Sequence, residues 1–213
     1  MSGSSINLVV ALPAEAKPII SRFELERVQP DLGFPQYRRG RMTLVVTGPG
    51  KLEVAAGTAL LGALAGRSQA AIWVNLGIAG HAERPVGEVL LASRITDAGS
   101  GRVWRPLLPQ DRPCPADDLV TLDRPDSGYR HQGMVDMEAS GFFPTACRFS
   151  GAELVRVLKV ISDNRRTTVW GLRAKQVSLL IDGALDTLEA LLASLDQENH
   201  HRGHLRNPRI EDE

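Results

Sequence analysis

The sequence predicts an α/β fold in which helices cover both faces of a mixed or parallel sheet. Several short runs of residues are almost wholly apolar, as expected for strands that are buried on both sides. Segments rich in small and apolar residues, with the composition of helices, alternate with these runs. Glycine- and proline-rich stretches separate many of them. This alternation is typical of a three-layer arrangement of helix, sheet and helix.

The first half of the chain shows the alternation clearly. The apolar, β-branched run from Ile6 to Leu12 predicts the first strand, which Pro13 ends. Residues 14–23 then predict a helix with Glu15 in its first turn. The next predicted elements are a strand over residues 42–47, a helix over 52–65, a strand over 70–76 that ends at the Gly77–Gly80 segment, and a strand over 86–95.

The second half is regular only after residue 130. Residues 96–129 are rich in Pro, Gly and Asp, and only Leu119 to Leu122 indicates regular structure there. Residues 133–149 predict a helix that carries Met137 and Glu138. A buried strand over residues 154–161 follows and ends at Ser162 and Asp163.

The C-terminal part predicts one long helix and a tail. Between residues 167 and 195, apolar residues recur every three or four positions, which defines one face of a helix. Residues 197–213 are polar and lack periodicity. We therefore expect one domain over residues 1–196, followed by a disordered tail over 197–213.

The composition favours a small-molecule partner. The chain has 213 residues, 43% of them hydrophobic, and its 25 basic residues balance 25 acidic ones. A balanced charge does not point to nucleic acid or to a membrane surface, and no apolar stretch approaches the length of a membrane span. The N-terminal apolar run is short and lacks the basic start of a secretory signal, so a cytoplasmic location is expected.

The sequence does not predict a metal or any other cofactor. Cys114 and Cys147 lack metal-ligand spacing, and no base is placed to activate either thiol. His200, His201 and His204 lie in the polar tail without a frame of carboxylates or cysteines. A solvated tail is the preferred interpretation of these histidines.

Four separated segments resemble the nucleoside phosphorylase and nucleosidase superfamily, and most of all its methylthioadenosine/S-adenosylhomocysteine nucleosidase branch. In chain order they are VALPAE (10–15), TGPGK (47–51), NLGIAG (75–80) with VGE (86–88), and VDMEA (135–139) with ISD (161–163). The resemblance covers roughly residues 6–195. It implies a phosphorylase-like fold with a mixed central sheet, a small nucleoside as substrate, and a homodimer.

The resemblance also assigns roles to four residues. It implies that Asp163 protonates the purine ring nitrogen and that Glu15 activates water. It places Glu138 on the ribose hydroxyls, with Met137 packed against the sugar. Without the resemblance, Asp163 would be read as a helix N-cap, Glu138 as a solvated helix residue, and Glu15 as a first-turn acid favoured by the helix dipole.

Two glycine-containing segments complete the predicted site. The amides around Gly48 and Gly50 are expected to approach the nucleophile or the ribose. The segment with Ile78, Ala79 and Gly80 is expected to let the chain pass close beneath the base. Ordinary tight turns would explain both sets of glycines equally well.

Glu15 favours hydrolysis over phosphorolysis. A carboxylate repels a phosphate dianion in a partly dry site, and the resemblance places Asn75 where hexameric phosphorylases have a phosphate-binding arginine. A phosphorylase, and a nucleoside-binding or regulatory protein of weak activity, are the alternatives.

The chain departs from the family pattern at two places. The link between Val120 and Val135 is short where the nucleosidases have a longer stretch with an aromatic residue that stacks on the base. Candidates to replace that wall are Tyr129, Phe142 and Trp170, although each is also a plausible core or surface aromatic. Arg165 and Arg166 follow Asp163, and they are either solvated surface charges or groups that act on the acid or on an anionic substituent.

Overall fold

The computed structural model describes residues 4–109, 111–126, 128–167 and 172–206. Within these ranges the chain forms ten strands, five α-helices and one short 3-10 helix. The strands are β1 (Ile6–Val10), β2 (Glu26–Arg27), β3 (Gln36–Arg39), β4 (Met42–Val46), β5 (Ile72–His81), β6 (Val89–Asp97), β7 (Val103–Trp104), β8 (Ala116–Thr121), β9 (Met134–Asp136) and β10 (Val155–Asp163). The helices are α1 (Pro13–Arg22), α2 (Lys51–Ala65), α3 (Ala139–Ala146), α4 (Ala174–Asp182) and α5 (Leu185–Arg206), and the 3-10 helix is Ala152–Leu154.

All ten strands belong to one mixed sheet, which confirms the predicted fold class. The hydrogen-bonded order is β10, β6, β8, β9, β5, β1, β4, β3, β2, with β7 against β6. Strand β5 is parallel to β1 and β10, whereas β9 is antiparallel to β5. Because β10 pairs with both β6 and β5, five strands of the sheet close into a ring.

Apolar side chains pack on both faces of the sheet. In β1, Leu8 and Val10 point to one cluster and Val9 points to the other, as the two-residue period of a strand requires. The first cluster is covered by α1, α4 and α5, and the second by α2 and α3. The chain therefore has the expected three layers.

The predicted helix over residues 133–149 is wrong in its first part. Residues 134–136 form β9, which pairs with β5 and β8, and α3 begins only at Ala139. The carboxylate of buried Asp136 accepts hydrogen bonds from the Thr121 hydroxyl on β8 and from the backbone N–H of Ala139. A buried acid thus ends the strand and starts the helix, a combination that an apolar pattern does not reveal.

The predicted long helix over residues 167–195 is two helices. Helix α4 ends at Asp182, where the N–H of Gly183 donates to Leu179, and α5 begins at Leu185. The apolar residues on both sides of the break are buried in the same cluster. The three-to-four spacing therefore continued across a glycine that interrupts the backbone helix.

The predicted disordered tail over residues 197–213 is wrong in its first part. Helix α5 continues to Arg206, so residues 197–206 are helical. Asn199 attaches this part of the helix, because its amide donates hydrogen bonds to Ser4 and to the carbonyl of Ala70. Residues 207–213 lie outside the described ranges.

Strand β5 continues through the Gly77–Gly80 segment, which is therefore extended rather than a turn. No helix in the described part of the chain combines the length and the apolar character that a bilayer span needs.

Candidate active site

A cavity of about 200 Å³ lies at the carboxyl ends of β1, β5 and β10. The carboxyl ends of parallel strands are the usual place for ligands in α/β sheets. Seven of the nine predicted site residues line this cavity: Glu15, Ile78, Ala79, Gly80, Met137, Glu138 and Asp163. The structure thus brings together residues that are up to 148 positions apart in the sequence (163 minus 15).

Glu15 is buried, with 2% of its surface exposed. Its Oε2 accepts hydrogen bonds from the backbone N–H groups of Ala11 and Leu12, and its Oε1 accepts one from Ile78. Burial raises the pKa of Glu15, and the hydrogen bond from Leu12 and the charge of Lys159 oppose that rise. Glu15 lies in the first turn of α1, which agrees with its interpretation as an acid favoured by the helix dipole. Its side chain also lines the cavity, which that interpretation does not explain.

Glu138 is held by the glycine loop that precedes α2. The backbone N–H of Gly50 donates to its Oε1 at 2.8 Å. The N–H of Gly48 donates to the carbonyl of Ala11, so both amides are engaged by the protein. The expectation that these two amides approach a substrate is therefore corrected, because Pro49 lines the cavity while its neighbours hold Glu138 and the end of β1.

A buried lysine lies among Glu15, Asp136 and Glu138. It is not among the site residues predicted from the sequence. Lys159 on β10 is 1% exposed, and its Nζ is 2.9 Å from Oδ2 of Asp136. Burial lowers the pKa of Lys159, but the charges of Asp136, Glu138 and Glu15 outweigh that effect and raise it. The ammonium group therefore stays charged and partly balances three carboxylates.

Glu138 has the same kind of environment as Glu15. Burial raises its pKa, the charge of Lys159 lowers it, and the neighbouring charge of Asp136 raises it again. It is not a solvated helix residue, since it is 8% exposed and precedes α3 rather than lying within it.

Asp163 lies at the end of β10 and is 3% exposed. The hydroxyl of Ser162 lies 2.5 Å from its Oδ1, and the hydroxyl of Tyr129 lies 2.8 Å from its Oδ2. No helix begins directly after it, because α4 starts at Ala174, so the helix N-cap interpretation is wrong.

Two glycines of β5 allow these side chains to approach the sheet. A Cβ at Gly77 would lie 3.0 Å from Oε1 of Glu15 and 3.4 Å from Nζ of Lys159. A Cβ at Gly80 would lie 2.9 Å from Oδ2 of Asp163. The glycines do permit close approach, and the groups that approach them are the protein's own charged side chains.

The structure decides several smaller predictions. Asn75 is buried and donates to the carbonyl of Val9 in the sheet, so it is not part of the cavity wall. Phe142 is a core residue, whereas Tyr129 lines the cavity. Trp170 lies outside the described residues. Arg165 and Arg166 are exposed, and neither forms an ion pair with Asp163 within the described ranges.

Neither cysteine has the environment of a nucleophilic thiolate. Cys147 follows α3 directly, and burial raises the pKa of both thiols to about 11. His200 lies in α5, where its ring contacts the carbonyl of Asp196. The side chains of His201 and His204 lie outside the described ones. Among the residues that the structure does describe, no His, Cys, Asp and Glu cluster is arranged to hold a metal ion.

The mixed sheet and its two helical layers are similar to the fold of solved nucleosidases. This bears out the resemblance seen in the sequence. The chain is similar to the 5′-methylthioadenosine nucleosidase of Arabidopsis thaliana, with a TM-score of 0.75 and 16% identity over 92% of this chain and 97% of that one.

Two bacterial structures show the same likeness. For the 5′-methylthioadenosine/S-adenosylhomocysteine nucleosidase of S. pneumoniae, the TM-score is 0.69 and the identity 19%, over 90% of this chain and 100% of that one. For the futalosine hydrolase of Helicobacter pylori, the TM-score is 0.71 and the identity 14%, over 91% and 100%. No family model matches the chain, and no curated protein matches its sequence. At these identities the likeness concerns the fold.

Proposed function

We propose that the protein hydrolyses the N-glycosidic bond of a purine-type nucleoside and releases the free base and a ribose derivative. The observation that carries this proposal is the convergence of Glu15, Glu138 and Asp163 on one cavity, with Met137 beside them. Cleavage of an N-ribosidic bond needs an acid for the base, a group that binds the sugar, and an activated nucleophile. The three carboxyl groups are the candidates for these roles.

Asp163 is the proposed acid. It gives its proton to a ring nitrogen of the base as the bond between that base and the anomeric carbon breaks, and the bonding electrons leave with the base. Its burial keeps bulk water away from the proton, and Ser162 and Tyr129 fix the orientation of the carboxyl group. Orientation of this kind is part of effective proton transfer.

Glu15 is the proposed base. A water molecule adds its hydroxide to the anomeric carbon and gives its proton to Glu15. The raised pKa of Glu15 makes this carboxylate a stronger base than an exposed glutamate. Glu138 accepts hydrogen bonds from the ribose hydroxyls in this scheme, and Lys159 limits the repulsion between the two glutamates.

The local charge favours water over phosphate as the nucleophile. Glu15, Glu138 and Asp136 surround one buried ammonium group, that of Lys159. A phosphate dianion placed beside Glu15 and Glu138 would be repelled by both. This supports the hydrolase over the phosphorylase alternative.

A nucleoside panel tests the proposal. We expect purified protein to release free base from at least one purine nucleoside in a buffer without phosphate, and added phosphate should not increase the rate. The panel should include adenosine, inosine, 5′-methylthioadenosine and futalosine, with base release followed by chromatography. Base release that strictly requires phosphate would instead establish a phosphorylase.

A nucleoside-binding protein is the second candidate, and one observation favours it. Both oxygens of Asp163 are already hydrogen-bonded by protein hydroxyls, so a base must compete for one of them. If nucleosides raise the thermal unfolding temperature but no base appears after long incubation, binding without turnover is the function.

The pH dependence of kcat/KM should reflect the raised pKa values of the two buried glutamates. Glu15 must be ionised to accept a proton, so kcat/KM falls as the pH falls through its raised pKa. Glu138 contributes to the same limb, since burial also raises its pKa. We expect the midpoint of the acid limb to lie above 4.5, the ordinary glutamate value. Initial rates across a pH series measure it, and circular dichroism at each pH verifies that the protein is folded. A midpoint at or below 4.5 would contradict the assignment of Glu15.

A further inference from the structure

Tyr129 contacts the candidate acid directly. Its phenol hydroxyl donates to Oδ2 of Asp163 at 2.8 Å, its side chain is buried, and it lines the cavity. The sequence indicates Tyr129 only as a candidate aromatic wall of the pocket. The hydrogen bond gives the Tyr129 hydroxyl an effect that is independent of the ring. A hydrogen-bond donor to a carboxylate stabilises the charged form of that carboxylate.

The backbone of Tyr129 has an unfavourable conformation. Its φ is 45°, in the left-handed region, which is unfavourable for a residue with a side chain because the Cβ then crowds the backbone. The guanidinium of Arg165 donates a hydrogen bond to the carbonyl of Tyr129. The N–H of Gly128, the residue before Tyr129, donates to the carboxylate of Asp126. The loop thus holds a strained tyrosine at the candidate acid, and strain of this kind concentrates at functional sites.

The two hydroxyls at Asp163 are not equivalent. The hydroxyl of Ser162 lies 3.3 Å from the carbonyl of Ala79 as well as 2.5 Å from Oδ1 of Asp163. It can therefore donate to Ala79 and release Oδ1 without becoming a buried unpaired donor. When Asp163 is protonated on Oδ1, Tyr129 still donates to Oδ2. When Asp163 is ionised, both hydroxyls can donate to it.

We propose that Tyr129 is a positioning residue for Asp163. Its hydroxyl holds Oδ2, so that Asp163 gives its proton to the base from Oδ1, and it stabilises the carboxylate that this transfer leaves. Tyr129 keeps its own proton throughout. This inference rests on the proposed function, and it adds a residue that acts through the acid rather than on the substrate.

The kinetic test is Tyr129→Phe, which keeps the ring and removes the hydroxyl. We expect kcat to fall about 10- to 100-fold, with KM changed less than about threefold, because the lost bond matters most when Asp163 is charged. The matched control is Tyr37→Phe, the other tyrosine of the chain. A wild-type kcat in Tyr129→Phe, or a fall in kcat/KM that comes from KM alone, would overturn the proposal.

A second measurement does not depend on turnover. With ring carbons labelled, the two tyrosines give two phenol-carbon NMR signals, which Tyr129→Phe and Tyr37→Phe assign. We expect Asp163→Asn to shift the Tyr129 signal, because the phenol donates directly to that side chain, while the Tyr37 signal stays unchanged. A Tyr129 signal that ignores Asp163→Asn would overturn the inference even if the enzyme is active. A protein with the coupled signal but no base release would overturn the proposed hydrolysis and the kinetic role, while the contact itself would stand.

Discussion

Asp163→Asn is expected to reduce kcat by a factor of about 10² to 10⁴, because general acid catalysis contributes that much and an amide has no acidic proton to give. Asparagine has the size of aspartate and can still accept the hydrogen bond that Tyr129 donates to Oδ2. Nucleoside binding should therefore change much less than turnover. Single-turnover rates and calorimetric dissociation constants measure the two effects separately.

The matched control for this change is Asp182→Asn. Asp182 is an exposed carboxylate at the end of α4, away from the cavity, and its replacement should leave kcat unchanged. If Asp163→Asn retains more than a tenth of wild-type turnover, Asp163 is not the acid. If the variant loses nucleoside binding to the same extent as turnover, its role is to bind the base.

Most of the fold followed from the sequence because the strands are short apolar runs. A strand that is buried on both faces is mostly apolar, as in β1 and β4, where Asn7 and Thr43 are the single polar residues and the predicted and observed ranges nearly coincide. The ring of five strands was not predictable in this way. It depends on pairings of β10 with β5 and β6, which are distant in the sequence and leave no periodic signal.

The errors of the fold prediction have local causes. Strand β9 has three residues and its buried Asp136 breaks the apolar pattern, so residues 134–136 were merged into α3. Helices α4 and α5 share one apolar spacing, which concealed the break at Gly183. A pattern of apolar residues reports the buried face and not the continuity of the backbone.

The site was predicted through motif resemblance more than through chemistry. Glu15, Glu138 and Asp163 come from elements that meet only in the folded chain, and the sequence could not prove that they converge. Their catalytic roles stay predictions, as does the homodimer. Tyr129 was predictable only as an aromatic residue, because nothing in the sequence shows that its hydroxyl reaches Asp163.

Lys159 is the residue that the sequence could have revealed. It interrupts a strand whose neighbours Leu158, Val160 and Ile161 are all buried and apolar. A lysine in such a strand needs a buried partner, since an unpaired ammonium group in a protein interior is costly. A buried lysine in this strand therefore predicts an acid opposite it, and in the structure that acid is Asp136.

Lys159→Met should lower the free energy of unfolding by about 3 to 5 kcal/mol, because it leaves the buried carboxylate of Asp136 without its cation. The raised pKa of Lys159 means that this stabilisation is fully present below 10.5, the ordinary lysine value, and is lost only as the pH rises through the raised one. Denaturant unfolding at neutral pH therefore measures the whole effect. The exposed Lys175 on α4 provides the control, and Lys175→Met should change stability by less than about 0.5 kcal/mol.

The double variant Lys159→Met with Asp136→Asn separates pairing from packing. Removal of both charges eliminates the uncompensated carboxylate, so the double variant should be more stable than Lys159→Met alone. Its activity should still differ from wild type, because Glu15 and Glu138 lose the cation that opposes the rise in their pKa values. The acid limb of kcat/KM should then move to higher pH. Equal stability of the single and double variants would show that the uncompensated carboxylate of Asp136 is not what destabilises Lys159→Met, and an unmoved acid limb would show that the charge of Lys159 does not act on the glutamates.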